Sequence, residues 1–450
     1  MSAYADFEKV LLPNIEKDET EWIDAYGHYE AAQKALEMEP DAIIGVIKDS
    51  GLRGRGGAGF PTGMKWSFLP KGVFPRYLAV NADESEPGTC KDRPLMEQRP
   101  HLLVEGIICA LRAIQGEEAW IYIRGEYYKA AKVLNKAVQE AYDKGYLGDN
   151  AFGKGVRCHI TVHRGAGAYI CGEETALLTS LEGYRGYPKL KPPFPAVTGF
   201  YAKPTIINNV ETIIDTGIIL KRGAEWFKGM VHERTTGMRL YSVSGHVKKP
   251  GVYELPPTVT LKQLIYDVCG GIRGDRKLKF VIPGGSSVPW LKPDQIDIPL
   301  SHEGVAAAGS MLGSSAVMVM DETVPAPWAL ANLSHFYRHE SCGQCTPCRE
   351  GSAWMHKILQ RICAGQGTMD DLETLKSIAG EGKPGSGMIS GKSICALGDA
   401  AAWPVGSALI QFWDEFVDAV KKGAPIAPPR FWMADGEFVY DEAPVMAGAH

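Results

Sequence analysis

Cys342, Cys345 and Cys348, spaced by two residues each in ESCGQCTPCREG, are the densest group of chemistry-bearing side chains in the sequence. One tight turn can direct three thiolates at that spacing toward one centre, the usual arrangement for [4Fe-4S] ligation, with the fourth cysteine supplied from elsewhere. Zinc sites more often use two separated C-x-x-C pairs, and there is no second pair here. Two residues compete for the fourth position. Cys363 shares a helical face with Met355, Leu359 and Ile362, the setting of a buried core cysteine. Cys395, in SICALGD, follows a glycine-rich loop from Gly380 to Gly391 and opens a helix, so the chain can reach back there. Cys395 is the expected ligand.

A second kind of chemistry is suggested by GLRGRGGAGFPTGMKW, residues 51 to 66, too rich in glycine for helix or strand. Gly54, Gly56 and Gly59 spell G-x-G-x-x-G, but a helical pattern (Ala42 to Lys48) precedes them where a dinucleotide fingerprint needs a strand. Close backbone approach to a phosphate or a flat ring remains available, with Arg53, Arg55 and Lys65 adding positive charge. NADESEPG (Asn81 to Gly88) follows the strand-like YLAVNA, where α/β sheets place ligands and where carboxylates can accept from sugar or ribityl hydroxyls. A second glycine-rich loop, RGAGAYICGEETAL, runs into a helix near Glu173, an order that presents backbone N–H groups to an anion.

The elements that must position these groups alternate. Strands are expected at Tyr77 to Ala82, Ala119 to Ile123 and Arg157 to His163, with helices over Leu95 to Ile114 and Tyr127 to Asp143, which implies a parallel sheet flanked by helices. From Met238 to Glu322 the pattern is a compact α+β unit: a hairpin, a helix from the N-cap Thr260 to Cys269, and the strands FVIPGG and VMVMD. After Pro325 and Pro327 the chain reads as helical, including a helix from Leu397 to Lys421. With 450 residues, 45% hydrophobic and 22% charged, several globular domains are expected. The net charge of -5 gives no general attraction for nucleic acid. The apolar windows His101 to Ile114 and Ile206 to Leu220 are broken by Glu105, Glu211 and Asp215, too short for a membrane span, so membrane association is expected only through partners. The acidic N-terminus does not read as a secretory signal.

GRGGAGFPTGMKW, VNADESEPGT, YICGEETALL, INNVET and ESCGQCTPCREG, in this order, resemble the NADH-binding flavoprotein subunits of respiratory complex I (NADH-quinone oxidoreductase), from about Asp41 to Phe416. The resemblance implies an α/β multidomain chain: a Rossmann-like FMN and NADH domain (residues 1–237), a ubiquitin-like β-grasp, or soluble-ligand-binding, domain (238–327) and a helical [4Fe-4S] domain with a C-terminal tail (328–450). It implies FMN held by Gly54, Gly56, Lys65, Asn81, Asp83, Glu84, Ser85, Tyr169, Gly172, Glu173, Glu174, Asn208, Asn209 and Thr212. NADH would stack on the flavin near Phe60, Phe68, Lys191 and Phe194, with Glu86 and Glu174 close to it. No side chain is required as acid or nucleophile. Implied partners are the [2Fe-2S] subunit and the multi-cluster subunit of the complex I peripheral arm, on the cytoplasmic side of the inner membrane. The diaphorase component of an NAD-linked hydrogenase or formate dehydrogenase shares these motifs. A reading of another class is a zinc-binding scaffold that senses a nucleotide.

Overall fold

The computed structural model describes residues 7–427, and the backbone alone of Phe431–Ala434 and Glu437–Tyr440. The two ends of the expected domain layout, residues 1–6 and most of the C-terminal tail, therefore lie outside the described residues. The chain forms two compact units: Met1–Gly271 with Pro283–Gly285 and Gln295–Met318, and Ile272–Ile282 with Ser286–Asp294 and Val319–His450.

The first unit is built on a five-stranded sheet. Strands β1 (Tyr77–Ala82), β2 (Glu118–Ile123), β3 (Gly148–Ala151), β4 (Val156–Arg164) and β5 (Thr205–Asn209) stand in the order β3-β4-β2-β1-β5. All neighbours are parallel except β3, which pairs antiparallel with β4. Chain order moves outward from β1 through β2 to β4, then returns to place β5 on the other side of β1. That reversal makes the β1/β5 crevice the topological switch point, where loops diverge and leave room for a ligand. In the β1–β5 register, Asn81 stands opposite Asn209 and Val80 opposite Asn208, so three asparagine side chains gather at the strand ends.

Several expected elements take a different form. Leu95 to Ile114 is two helices, Asp92–Gln98 and Pro100–Ile114, because a residue before proline is pushed out of the helical region. The apolar window Ile206 to Leu220 is a strand feeding directly into the helix Val210–Arg222, whose N-cap Asn209 accepts from the Glu211 N–H. That helix packs against Pro100–Ile114 so closely that a Cβ at Gly106 would run into the Ile213 carbonyl. Thr260 forms a capping box with Gln263, but only Leu261–Gln263 is α-helical and Leu264–Val268 continues as a π-helix.

Within the first unit, the hairpin Arg239–Gly245 and Gly251–Leu255 follows the sheet. Its Glu254 carboxylate accepts from the backbone N–H groups of Val10, Leu11 and Leu12 at 2.7 to 3.1 Å, which ties the N-terminal segment to it.

The second unit is mainly helical: Ala326–Glu340, Thr346–Cys363, Met369–Ala379, Leu397–Gln411 and Trp413–Lys422. The expected helix from Leu397 to Lys421 breaks at Phe412, where the backbone leaves helical angles. Phe280 stacks on Trp290 with ring centroids 4.2 Å apart, and the Trp290 backbone N–H donates to Ser407 at 3.1 Å.

Candidate functional site

A cavity of about 720 Å³ opens in the first unit between the glycine loop and the ends of β1 and β5, within the size range of cofactor pockets. Its walls include Gly54, Gly56, Lys65, Asn81, Glu174, Asn208, Asn209 and Thr212, all expected cofactor residues, together with Phe60, Phe68, Lys191 and Phe194, expected around the substrate. Residues from five separate sequence segments thus meet at one place.

The loop lies close to the pocket floor because it lacks side chains: a Cβ on Gly56 would stand 3.1 Å from the Asn209 Cβ. Asn208 is oriented by the Trp66 indole, which donates to its Oδ1 at 2.9 Å. Thr212 Oγ1 accepts from the Arg55 N–H at 2.9 Å, so the first turn of Val210–Arg222 grips the loop. The N-terminus of that 13-residue helix adds partial positive charge at the floor.

Lys65 reaches Glu174 at 3.1 Å and the Ile207 carbonyl at 2.8 Å, while Lys191 bridges Glu174 and Glu173 at 2.8 and 3.0 Å. Burial works to raise the Glu174 pKa, but Lys65 and Lys191 outweigh it and hold the carboxyl below its usual value. Glu173 caps the helix Glu174–Leu181 through the N–H groups of Thr175 and Ala176.

The other expected residues are not among those lining the cavity but connect to it. Asn81 donates to the Gly172 carbonyl at 2.8 Å, Asp83 is buried and accepts from Ser85, and the Tyr169 hydroxyl donates to Glu86 at 2.6 Å. Glu84, at a left-handed φ of 33°, accepts from the N–H groups of Asp92 and Arg93 at 2.5 and 2.9 Å and so caps the helix Asp92–Gln98.

Charge assignments from sequence need revision. Arg55 is 1% exposed, pairs with Asp215 at 2.9 Å and donates to the Thr236 and Met238 carbonyls, so its charge is spent inside the protein. Arg53 likewise pairs with Glu303 at 2.6 Å. Sequence reasoning missed the buried set beneath the floor: Lys91 contacts Asp92 at 2.7 Å and Glu211 at 2.8 Å, and the Asn209 amide donates to Asp92 at 2.6 Å. Glu211 and Asp215, acids inside an apolar window, were its visible signal.

In the second unit, Cys342 and Cys345 lie on the turn before Thr346–Cys363, Cys345 is the N-cap, and Cys348 sits in the first turn. Arg349 closes the turn on the Gly343 carbonyl at 2.9 Å. Burial pushes the Cys348 thiol up to about 11; the Ser341 contact opposes this, and nearby Cys345 and Cys342 add to it. The Cys348 thiol loses its proton readily only with a cation beside it. Among the described residues no three His, Cys, Asp or Glu side chains converge closely enough for one ion.

Cys363 ends the same helix, roughly 22 Å along its axis from Cys348 at 1.5 Å per residue. Cys395 is on the loop before Leu397–Gln411. Ile389 of that loop packs at Gly351, one turn beyond Cys348, and at Gly398, just after Cys395, so one side chain links the two segments.

Three family models match the chain: the Nuo51 FMN-binding domain over residues 47–216, the SLBB domain over 240–289, and the NADH-ubiquinone oxidoreductase-F iron-sulfur binding region over 328–419. The chain is 52% identical over 432 residues to the NADH-quinone oxidoreductase F subunit of Streptomyces coelicolor, covering 94% of each chain. It is 53% identical over 412 residues to the protein of that name in Mycobacterium tuberculosis, covering 90% of this chain and 91% of the relative. It is also similar to a crystal structure of an NAD+-reducing [NiFe]-hydrogenase, with TM-score 0.78 and 35% identity over 92% of this chain and 67% of that one.

Burial first, then the Asp92 carboxylate, raises the Glu84 pKa from 4.5 to about 7. A raised carboxyl pKa gives stability that is fully present below pH 4.5 and lost as pH climbs to 7, because the folded state holds the extra proton. A shift of this size corresponds to at most about 3 kcal/mol, less to the extent that solvent screens the half-buried group. Glu84→Gln removes that loss. Its thermal midpoint should match the parent at pH 4 and exceed it at pH 8, as read by circular dichroism melts.

Proposed function

The chain belongs to the NADH-quinone oxidoreductase F-subunit family, and from that premise we propose how its residues divide the work. The protein oxidises NADH and passes the electrons to partner subunits of its complex. When bound, FMN accepts a two-electron hydride and releases electrons singly, as an iron-sulfur cluster requires. The cavity at the β1/β5 switch point, inside the span of the FMN-domain match, carries this reading.

Gly54, Gly56, Lys65, Asn81, Asn208, Asn209 and Thr212 would hold the flavin nucleotide, and the floor helix N-terminus offers partial positive charge to an anionic group. Asp83, Glu84, Ser85, Tyr169, Gly172 and Glu173, joined to the cavity wall through Asn81 and Glu174, would complete the flavin site. Phe60, Phe68 and Phe194, exposed at 45%, 53% and 58%, offer faces to the adenine at the mouth. Lys191, Glu86 and Glu174 lie beside the substrate. The chain's role in hydride transfer is to orient the two rings and exclude water, with no side chain donating or removing a proton.

Cys342, Cys345, Cys348 and Cys395 hold the [4Fe-4S] cluster. The three-part layout of residues 1–237, 238–327 and 328–450 is retained for function, with a Rossmann-like first part and a β-grasp second part; the three family matches each fall within one part. The [2Fe-2S] subunit and the multi-cluster subunit of the complex I peripheral arm are the neighbours we infer, on the cytoplasmic side of the membrane. Among the described residues no helix is long and apolar enough to cross a membrane. A diaphorase role with a hydrogenase is the second reading. The near-complete mutual coverage with the Streptomyces relative favours the first.

Cys395→Ser should yield protein depleted of iron and without the EPR signal of a reduced [4Fe-4S] cluster, while Cys363→Ser keeps both. The reverse pattern removes Cys395 from the ligand set. Glu174 projects a carboxylate toward the substrate side of the cavity, and its loss also frees Lys65 and Lys191 to attract a phosphate. Glu174→Gln should raise the NADPH-to-NADH ratio of kcat/KM by on the order of tenfold, equivalent to 1.4 kcal/mol. An unchanged ratio would exclude Glu174 from cofactor discrimination.

A further inference from the structure

The underside of the glycine loop faces residues 235–239 and 302–303 of the same unit. Gly59 adopts φ +63°, and a Cβ there would run into the imidazole of His302. His302 opens the short helix His302–Ala307, and its backbone N–H donates to Thr235 Oγ1 at 3.0 Å. Its Nε2 lies 3.2 Å from Arg239 Nη1. A guanidinium only donates, so Nε2 must be the bare acceptor and the ring hydrogen resides on Nδ1. Arg239, fully buried, is itself fixed by Ser315 Oγ and by the Gly313 carbonyl at 3.1 Å.

The neighbouring residue extends the same brace. Glu303 accepts from Arg53 at 2.6 Å and from Thr235 Oγ1 at 2.9 Å, and Arg53 Nε donates to the Gly59 carbonyl at 2.6 Å. Gly59 is therefore held at its carbonyl by Arg53 and at its Cα by His302. Burial, reinforced by Arg239, Arg53 and Arg55, keeps the imidazole far below its ordinary pKa. It stays neutral across the physiological range and never adds charge beneath the loop.

We propose that His302 is a positioning residue for FMN: its neutral imidazole, braced by Arg239, is a wedge beneath Gly59 that sets the height of the Gly54 to Gly59 loop against the cofactor cavity. This inference rests on the FMN reading of that cavity. It makes the segment after the sheet, matched to the SLBB domain only as far as residue 289, a working part of the flavin site. A smaller side chain at position 302 removes the support of a loop whose backbone must lie against the cofactor. A glutamine preserves much of it, because its amide oxygen can accept from Arg239 where Nε2 did.

The test uses the full chain, freed of flavin and titrated with FMN by quenching of the FMN fluorescence, alongside the thermal midpoint of each variant. His302→Ala should weaken FMN binding about tenfold or more, and His302→Gln should remain within about threefold of the parent, differences of 1.4 and 0.65 kcal/mol. Val305→Ala trims a fully buried side chain of the same short helix. It should lower the midpoint yet leave the FMN constant within about twofold. Parent-like FMN binding by His302→Ala would overturn the wedge, and so would equal weakening by Val305→Ala, which would mark general destabilisation. Equal losses for the Gln and Ala variants would overturn the brace through Arg239. A parent chain that binds no FMN overturns the reading of the cavity itself, an outcome distinct from the others.

Discussion

The buried ion pair between Arg55 and Asp215 ties together the parts of the first unit that make a site. Arg55 lies inside the glycine loop, Asp215 on the helix that begins at the pocket floor, and the guanidinium also binds the Thr236 and Met238 carbonyls of the following segment. Burial lowers the Arg55 pKa, but the carboxylates of Asp215 and Glu211 outweigh it. A charge so enclosed is tolerated only with its partners in place; removing one partner of such a pair typically costs about 3–5 kcal/mol. The flexible, glycine-rich backbone is thus fixed by charges on either side of Gly54, with Arg53 on Glu303 and Arg55 on Asp215. The glycines permit close approach to a ligand, and the flanking arginines prevent the loop from wandering.

Lys91, Asp92 and Glu211 form a second buried set that touches Asn209. Asn209 thereby has three duties: it ends β5, caps the floor helix and lines the cavity. Its amide orientation follows from its partners, since its nitrogen faces Asp92 and its oxygen faces Lys91 and the Glu211 N–H. Such networks are rigid when every member is satisfied. A preformed pocket follows from that rigidity, which reduces the ordering cost of binding a flat, charged cofactor.

Much of this was legible in the sequence because local signals agreed. Alternating apolar runs marked β1, β2 and β4 to within a residue or two, Thr260 marked a cap, and the C-x-x-C-x-x-C spacing marked a turn that opens a helix. β5 was hidden because strand and helix join without a loop, so Ile206 to Leu220 reads as one apolar stretch. The side-chain directions of Arg53 and Arg55 were hidden for a different reason. Their acids lie 250 and 160 positions away, and a basic residue in a glycine loop looks the same whether it faces a phosphate or a buried carboxylate. His302 was invisible for that reason too, since nothing local to SHEG indicates that Gly59 rests on it. The preference for Cys395 over Cys363 rests on sequence texture, and the helix length that separates Cys363 from Cys348 supports it.

The central claim is that one chain holds both a flavin that takes hydride from NADH and a cluster that takes electrons singly. Anaerobic titration of the complete protein with NADH, followed by absorption and EPR with parallel metal analysis, tests it most directly. The account predicts bleaching of a flavin absorption band, appearance of a reduced [4Fe-4S] signal, and iron as the bound metal. Protein that lacks a flavin band and contains zinc in place of iron would contradict it.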